Sequence, residues 1–396
     1  MPLSPDTTIG VVGAGAMGAG IAQVAAAAGH RVVLADAMQG ATEKARGNLG
    51  LVLEKQVQKG KIDRNEADRL IGRIDYVWDP LGADSSMYGR CGLVIEAIVE
   101  DLEAKRDVFR RLESTVARDA ILATNTSSLS VASLASMCQA PERVVGLHFF
   151  NPAPVMPLVE VVPWLGGDPI VASSSFALMR AWNKAPVLAS DTPGFIVNRI
   201  ARPYYGEAIR ILEEGVADVA TIDWAMTEFG KFRMGPFELM DFIGNDVNYA
   251  VTRSVFESMF YDPRYRPSLT QKRMVEAGFL GRKSGRGYYD HRAGVVRPEA
   301  NKDAAIGLLV FERILAMLIN EAVDAVLMRV ASPEDIDLAM TKGVNYPKGL
   351  LAWANELGLA RVLGWLERLY AEYGEDRYRP SPLLRRMVRD ERRFFA

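Results

Sequence analysis

The chain has 396 residues, 49% of them hydrophobic and 24% charged, which fits a globular protein of two or three domains. Its 47 basic and 49 acidic side chains leave a formal charge of −2, arguing against a nucleic-acid partner or a strongly anionic membrane surface. Cys91 and Cys138 are the only cysteines, with no CxxC and no Cys/His cluster, so neither a disulfide framework nor a metal site is expected and a reducing cytoplasm is the expected compartment. The N-terminus lacks a basic n-region, the Ala-rich stretch 22–28 has no cleavage site after it, and no apolar run reaches about 18 residues, so neither a signal peptide nor a membrane span is expected.

Short apolar runs alternate with helical patterns over the first 190 residues. Residues 8–12, 31–35, 93–97, 120–124, 144–149, 158–162 and 186–189 read as strands, with 75–77 a weaker one. Near-continuous Val/Ile/Leu runs imply burial on both faces, as in a parallel sheet covered by helices. The alternation predicts a doubly wound, Rossmann-like α/β domain over 1–190. Residues 40–72 are charged and helical in pattern, and are expected to project from the sheet as an arm. After Asp191-Thr192-Pro193-Gly194 the strand pattern stops and helical patterns follow to about 290; residues 292–304 read as a linker.

Self-comparison reveals a duplication. Arg199-Ile200, Glu207-Ala208, Asp223, Ala225-Met226, Gly235 and Gly244 recur 114 residues later as Arg313-Ile314, Glu321-Ala322, Asp337, Ala339-Met340, Gly349 and Gly358. Arg264-Tyr265-Arg266-Pro267-Ser268 recurs as Arg377-Tyr378-Arg379-Pro380-Ser381. Two tandem all-α domains are therefore expected, 191–292 and 300–396.

Gly13-Ala14-Gly15-Ala16-Met17-Gly18 closes the first strand and opens a helix. The first Gly permits the turn, the second lets backbone approach a pyrophosphate, and the third allows close helix–strand packing, with the phosphates at the helix N-terminus. Asp36 ends the next strand, where a carboxylate accepts hydrogen bonds from ribose hydroxyls and repels a 2′-phosphate; Ala37 follows, where an NADP enzyme often has Arg. The expected cofactor is NAD.

His148 ends an apolar strand, and a stiff loop with Pro152, Pro154 and Pro157 leads to a strand containing Glu160. Such a loop can bring Glu160 beside His148, where the carboxylate would orient the ring and stabilise its protonated form. Alcohol oxidation needs such a base, because the hydroxyl proton must leave as hydride departs. The other histidines, His30 and His291, sit in apparent surface connections. Asn125-Thr126-Ser127-Ser128 follows a strand at the carboxyl edge of the sheet, where ligands of doubly wound folds bind. Either Ser128 or Ser130 N-caps the helix 131–137, leaving Ser127 for a substrate oxygen; Asn198, in Gly194-Phe195-Ile196-Val197-Asn198-Arg199, could act likewise or be satisfied locally.

Together GAGAMGAGIA, VIEAIVEDLEAKRDVF, TNTSSLS, GLHFFNPAPVMPLVEVV, DTPGFIVNRI, GPFELMDFIG and GRKSGRGYYD resemble the 3-hydroxyacyl-CoA dehydrogenase family, in its order and spacing. The resemblance implies NAD-dependent oxidation of (S)-3-hydroxyacyl-CoA, with His148 as base, Glu160 as its partner, and Ser127 and Asn198 on the 3-oxygen and thioester carbonyl. It places Glu100, Lys105, Asn151 and Lys283 at the NAD site, Lys105 also near CoA, and the CoA-clasping arm at Leu53-Glu54-Lys55-Gln56-Val57-Gln58-Lys59-Gly60-Lys61-Ile62, leaving open which lysine makes contact, with Lys55 and Lys59 the candidates. Pro157 stands where relatives usually have Lys, and Gly244-Asn245-Asp246 replaces Gly-Leu-Asp. The duplicated domain resembles that of multifunctional fatty-acid oxidation enzymes. Single-copy relatives dimerise through it, so the second copy, with Glu312 in place of Asn198, is expected to act as a built-in partner. Two other readings are a dehydrogenase of a free hydroxy or sugar acid and a non-catalytic NAD-binding protein; the lysine arm disfavours the first, and the joint presence of Ser127, His148, Glu160 and Asn198 disfavours the second.

Overall fold

A computed structural model describes residues 3, 4, 6–78 and 85–395 and divides the chain into two compact units, Met1–Thr192 and Pro193–Ala396. Residues 1, 2, 5, 79–84 and 396 of the expected domains lie outside the described residues.

In the first unit the strands are β1 (Thr8–Val12), β2 (Val32–Asp36), β3 (Ile74–Trp78), β4 (Cys91–Glu96), β5 (Ile121–Thr124), β6 (Val144–Phe149), β7 (Leu158–Val162) and β8 (Ala185–Leu188). They form one sheet in the order β3-β2-β1-β4-β5-β6-β7-β8. Every pairing is parallel except β6 with β7. The order reverses between β1 and β4, and ligands of open α/β sheets bind beyond the carboxyl ends of strands at such a point. The weak strand 75–77 is a full edge strand, in register with β2 from Val32↔Ile74 to Asp36↔Trp78. Its signal was faint because an edge strand is only half covered, and Asp75, Tyr76 and Val77 are partly exposed.

Helices α1 (Ala16–Ala27), α2 (Ala41–Gln58), α3 (Arg64–Gly72), α4 (Leu102–Thr115), α5 (Val131–Ala135) and α6 (Pro169–Ala181) connect these strands. The expectation that 40–72 projects from the sheet needs correction. Ala45, Leu49 and Leu53 of α2, with Ala67 and Leu70 of α3, are buried and join Ile21, Val24 and Ile74 in the core. Their four-residue spacing on α2 makes one apolar row, enough to dock a helix whose other positions are charged. Leu51 and Val52 stay exposed on another face.

The second unit is helical. Its first repeat contains α7 (Val197–Ile200), α8 (Arg202–Glu213), α9 (Val219–Glu228), α10 (Pro236–Ile243), α11 (Asn245–Ser258) and α12 (Leu269–Glu276); its second contains α13 (Ala304–Leu327), α14 (Pro333–Gly343), α15 (Leu350–Leu357), α16 (Leu359–Tyr373) and α17 (Pro382–Arg389). The repeated Asp and Gly have a physical cause. Asp223 accepts the amides of Phe237 and Glu238 at 2.9 Å, tying α9 to the start of α10. Asp337 does the same for Leu351 and Ala352 at 2.8 and 2.9 Å. A side chain at Gly235 would meet Asp223 at 2.4 Å, and one at Gly349 would meet Asp337 at 2.3 Å, so both positions need Gly. The copies differ at their first helix. Pro203 at the start of α8 lacks the N–H that would continue the helix, whereas Met317 at the equivalent place leaves α13 unbroken for 24 residues. Residues 292–303 are irregular, pinned partway by the Asn301 amide on Thr221 Oγ1 at 2.9 Å. Among the described residues no helix is long and apolar enough to cross a membrane.

Candidate active site

The Gly-rich turn lies at the carboxyl end of β1. Gly13 has φ +102°, and a Cβ there would sit 2.6 Å from the Ala97 carbonyl oxygen. One on Gly18 would lie 1.8 Å from the Gly13 oxygen, whereas beside Gly15 there is open space to 4 Å. Gly15 caps α1 without a side-chain bond, so Ala16 and Met17 open the helix at an N-terminus suited to an anion. Asp36 accepts the Ala14 amide at 2.6 Å and the Met38 amide at 2.8 Å, fixing its carboxylate at the rim of the turn. A cavity of about 920 Å³ opens beside it, lined by Gly15, Asp36, Lys44, Asn48, Gln56 and Pro154 among others. The open backbone, helix terminus, carboxylate and volume fit a dinucleotide.

Lys55 and Lys59 do not line this cavity; both are exposed near the end of α2. Sequence reasoning missed Lys44, Asn48 and Gln56, which do. Their signal was present, because Lys44, Asn48, Val52 and Gln56 recur every fourth residue beside the buried row Ala45-Leu49-Leu53.

His148 and Glu160 are directly opposite in the antiparallel β6–β7 pair. His148 Nδ1 lies 2.6 Å from Glu160 Oε2, with the histidine 6% and the glutamate 0% exposed. In the tautomer that donates from Nδ1, the Nε2 lone pair is the basic one. Phe150 packs on the ring, with centroids 4.5 Å apart. Asn151 lies on the exposed part of the loop between the two strands. Lys184, which no sequence pattern singles out, holds that loop through the carbonyls of Ala153 at 2.5 Å and Met156 at 3.0 Å. Asn125 Oδ1 accepts the Phe149 amide at 2.9 Å, tying the Ser127 loop to the end of β6.

Ser127 is not left clear by the local capping. Ser130, not Ser128, caps α5, which ends at Ala135 and not at 137. The Ser127 amide and hydroxyl donate to Glu100 Oε1 at 2.9 and 3.3 Å, and the Ser128 hydroxyl and Thr126 hydroxyl join them at 3.0 and 2.7 Å. Burial would raise the Glu100 pKa, but Lys105 and these donors outweigh it and hold the carboxyl below its usual range. Glu100 therefore organises the whole serine turn. Lys105, expected beside NAD and CoA, is 1% exposed; its ammonium lies 2.6 Å from Glu96 and 3.2 Å from Glu100. A buried ammonium shared by two carboxylates positions Glu100 and is not presented to a phosphate. Glu96, an acid in the apolar run of β4, was the overlooked signal for this network, and Thr124 donates to it at 2.7 Å.

In the second unit Asn198 lies half-buried on α7, and Lys283 pairs with Asp246 at 2.6 Å. The two remaining histidines differ from expectation. His30 is buried, its Nδ1 2.9 Å from the Thr7 carbonyl oxygen and its ring edge-on to Trp182, while His291 Nε2 lies 2.9 Å from Asp241. Burial pushes both Cys91 and Cys138 up to about 12, so neither is a nucleophile at neutral pH.

A doubly wound sheet, a dinucleotide turn with a ribose-type acid and a buried His–carboxylate pair define an NAD-dependent dehydrogenase. Residues 8–192 match the model of the 3-hydroxyacyl-CoA dehydrogenase NAD binding domain, and residues 194–291 and 309–393 each match that of the 3-hydroxyacyl-CoA dehydrogenase C-terminal domain. The chain is 39% identical to a 3-hydroxyadipyl-CoA dehydrogenase of Escherichia coli over 96% of both chains. It is 41% identical to a 3-hydroxybutyryl-CoA dehydrogenase of Mycobacterium tuberculosis over 72% of this chain and 98% of that one. A crystal structure of 3-hydroxybutyryl-CoA dehydrogenase from Escherichia coli K12 superposes with a TM-score of 0.91 at 38% identity, covering 98% of this chain and 99% of the other. The chain belongs to the 3-hydroxyacyl-CoA dehydrogenase family, and its cofactor is NAD.

Proposed function

We propose that the chain oxidises (S)-3-hydroxyacyl-CoA to 3-ketoacyl-CoA with His148 as general base. The buried His148–Glu160 pair carries this reading. Bound NAD supplies the hydride acceptor. His148 Nε2 takes the hydroxyl proton, and Glu160, fully buried at Nδ1, fixes the tautomer and stabilises the imidazolium. Ser127 and Asn198 hold the 3-oxygen and thioester carbonyl. Gly13, Gly15, Ala16, Met17, Gly18 and Asp36 hold the cofactor's adenosine and pyrophosphate. Glu100, Asn151 and Lys283 line the rest of the NAD site, Lys105 by positioning Glu100. Domains 1–190, 191–292 and 300–396 divide this work, the last as a built-in partner for the second. Reciprocal pairing of Arg199 with Glu321 and of Arg313 with Glu207 supports that arrangement.

The test is NADH formation from (S)-3-hydroxybutyryl-CoA against free 3-hydroxybutyrate. Rapid turnover of the thioester alone is expected; turnover of the free acid alone, or of neither, would overturn the reading.

A further inference from the structure

The duplication supplies an internal control on which buried polar groups the helical fold requires. In the first copy Arg202 is 7% exposed, and no carboxylate pairs with it among the described residues. Its Nε donates to the Asn198 carbonyl at 2.7 Å, its Nη1 donates to Thr252 Oγ1 at 3.1 Å, and its guanidinium lies over the Tyr205 ring at 5.0 Å. Gln271 Nε2 extends the cluster, donating to Asn248 Oδ1 at 2.6 Å and Thr252 Oγ1 at 3.2 Å. The cluster contains a cation and no anion. An unpaired buried charge is costly, and burial accordingly lowers the Arg202 pKa.

The second copy makes the same helical packing without any of these groups. Ala316, Ile319, Val362, Leu366 and Leu384 stand where Arg202, Tyr205, Asn248, Thr252 and Gln271 stand in the first, and all five are 0% exposed. Packing alone is thus satisfied by apolar side chains. The polar set belongs to the copy that carries Asn198, and Arg202 follows Asn198 by four residues, about one helical turn. From the second copy comes Tyr346, replacing Phe232 of the first. Its hydroxyl is buried without a hydrogen-bond partner among the described residues and feels the charge of Arg202. A buried cation without an anion and a buried hydroxyl without an acceptor call for the same ligand, an anionic oxygen.

We propose that Arg202 and Tyr346 bind the distal carboxylate of a dicarboxylic 3-hydroxyacyl thioester, with Thr252, Asn248 and Gln271 holding the guanidinium in place. This rests on the preceding reading, in which Asn198 holds the reacting end of the substrate. Arg202 Nε donates to the Asn198 carbonyl at 2.7 Å, so the guanidinium lies beside the residue that holds the reacting end, within reach of a short acyl chain. The second copy then completes the acyl site as well as covering the first.

The experiment compares kcat/KM for 3-hydroxyadipyl-CoA and 3-hydroxyhexanoyl-CoA, which share six carbons and differ in a terminal carboxylate or methyl, in full-length wild type, Arg202→Leu and Tyr346→Phe. Wild type should favour the carboxylate by about tenfold or more; Arg202→Leu should lower that ratio roughly 10- to 100-fold and Tyr346→Phe about 3- to 10-fold, as expected for losing a charged and a neutral hydrogen bond. Circular dichroism checks folding; if Arg202→Leu does not fold, the wild-type ratio and Tyr346→Phe decide. No wild-type preference, or a ratio unchanged by the folded variants, would overturn the proposal while leaving the dehydrogenase reading intact. Failure to oxidise either thioester would overturn that reading, and this proposal with it.

Discussion

Arg199 donates from Nε to Glu321 Oε1 at 2.6 Å, and its repeat counterpart Arg313 donates from Nε to Glu207, the counterpart of Glu321, at 2.7 Å. The hydroxyls of Tyr265 and Tyr378 donate to the same two carboxylates. Residue i of one copy thus meets residue j of the other, and j meets i. This is the pattern of a two-fold dimer, here within one chain.

Both pairs are nearly solvent-free, with Arg199 and Glu321 side chains 1% and 3% exposed. Arg199→Met should therefore leave the buried Glu321 carboxylate with only the longer Arg264 contact at 3.7 Å and cost about 3 kcal/mol in urea unfolding, the low end for breaking a buried pair. A loss below about 1 kcal/mol would mean that the pair behaves like a surface contact.

Deleting residues 300–396 should expose the apolar face that α13 now covers, since Val310, Ile314, Leu318 and Val323 are all 0% exposed. On the proposed built-in-partner reading, tethering makes the pairing intramolecular, at an effective concentration of order millimolar. Light scattering of the truncated chain should report a dimer or aggregate. A truncated monomer as heat-stable as the full chain would contradict the built-in-partner account.

Cofactor choice follows from Asp36, whose carboxylate is held by the Ala14 and Met38 amides. Wild type should prefer NAD over NADP widely in kcat/KM, and Asp36→Ala with Ala37→Arg should narrow or invert that preference. Equal efficiency of the two cofactors in wild type would contradict the assignment.

Much of this was legible because periodicity and spacing report burial. The parallel strands, the glycine turn and the duplication each left a repeating apolar or glycine pattern. Glu160 could be placed opposite His148 because a stiff loop joins two adjacent strands. Other contacts carried no such pattern. Lys184 reaches the carbonyls of Ala153 and Met156 across 28 to 31 positions, and Lys105, singled out only by resemblance, has no sequence pattern that tells of its buried bond to Glu96. The arm was misjudged because a single apolar row suffices to dock α2 among many charges.

The Glu100 network makes a pH prediction. Its folded pKa lies below the ordinary value of 4.5, so its stabilising contribution is complete above that value and is lost as pH falls through the lower folded one. Glu100→Gln should be less stable than wild type at neutral pH, and the gap should close in acid. Urea unfolding in parallel at both pH values measures it; a gap that widens in acid would reverse the sign and refute the account. Weaker NAD binding in the same variant is expected, since the serine turn loses its anchor.

The most direct test of the central claim is single-site replacement of His148 with Ala or Gln, read as kcat and NAD affinity on one thioester. The ring acts on the hydroxyl proton, so kcat should fall at least about 10²-fold while NAD affinity stays nearly unchanged. Glu160→Gln should cost less and lower the apparent basic pKa, because the imidazolium loses its partner. A His148→Ala enzyme that retained more than half of the wild-type kcat would show that the base lies elsewhere.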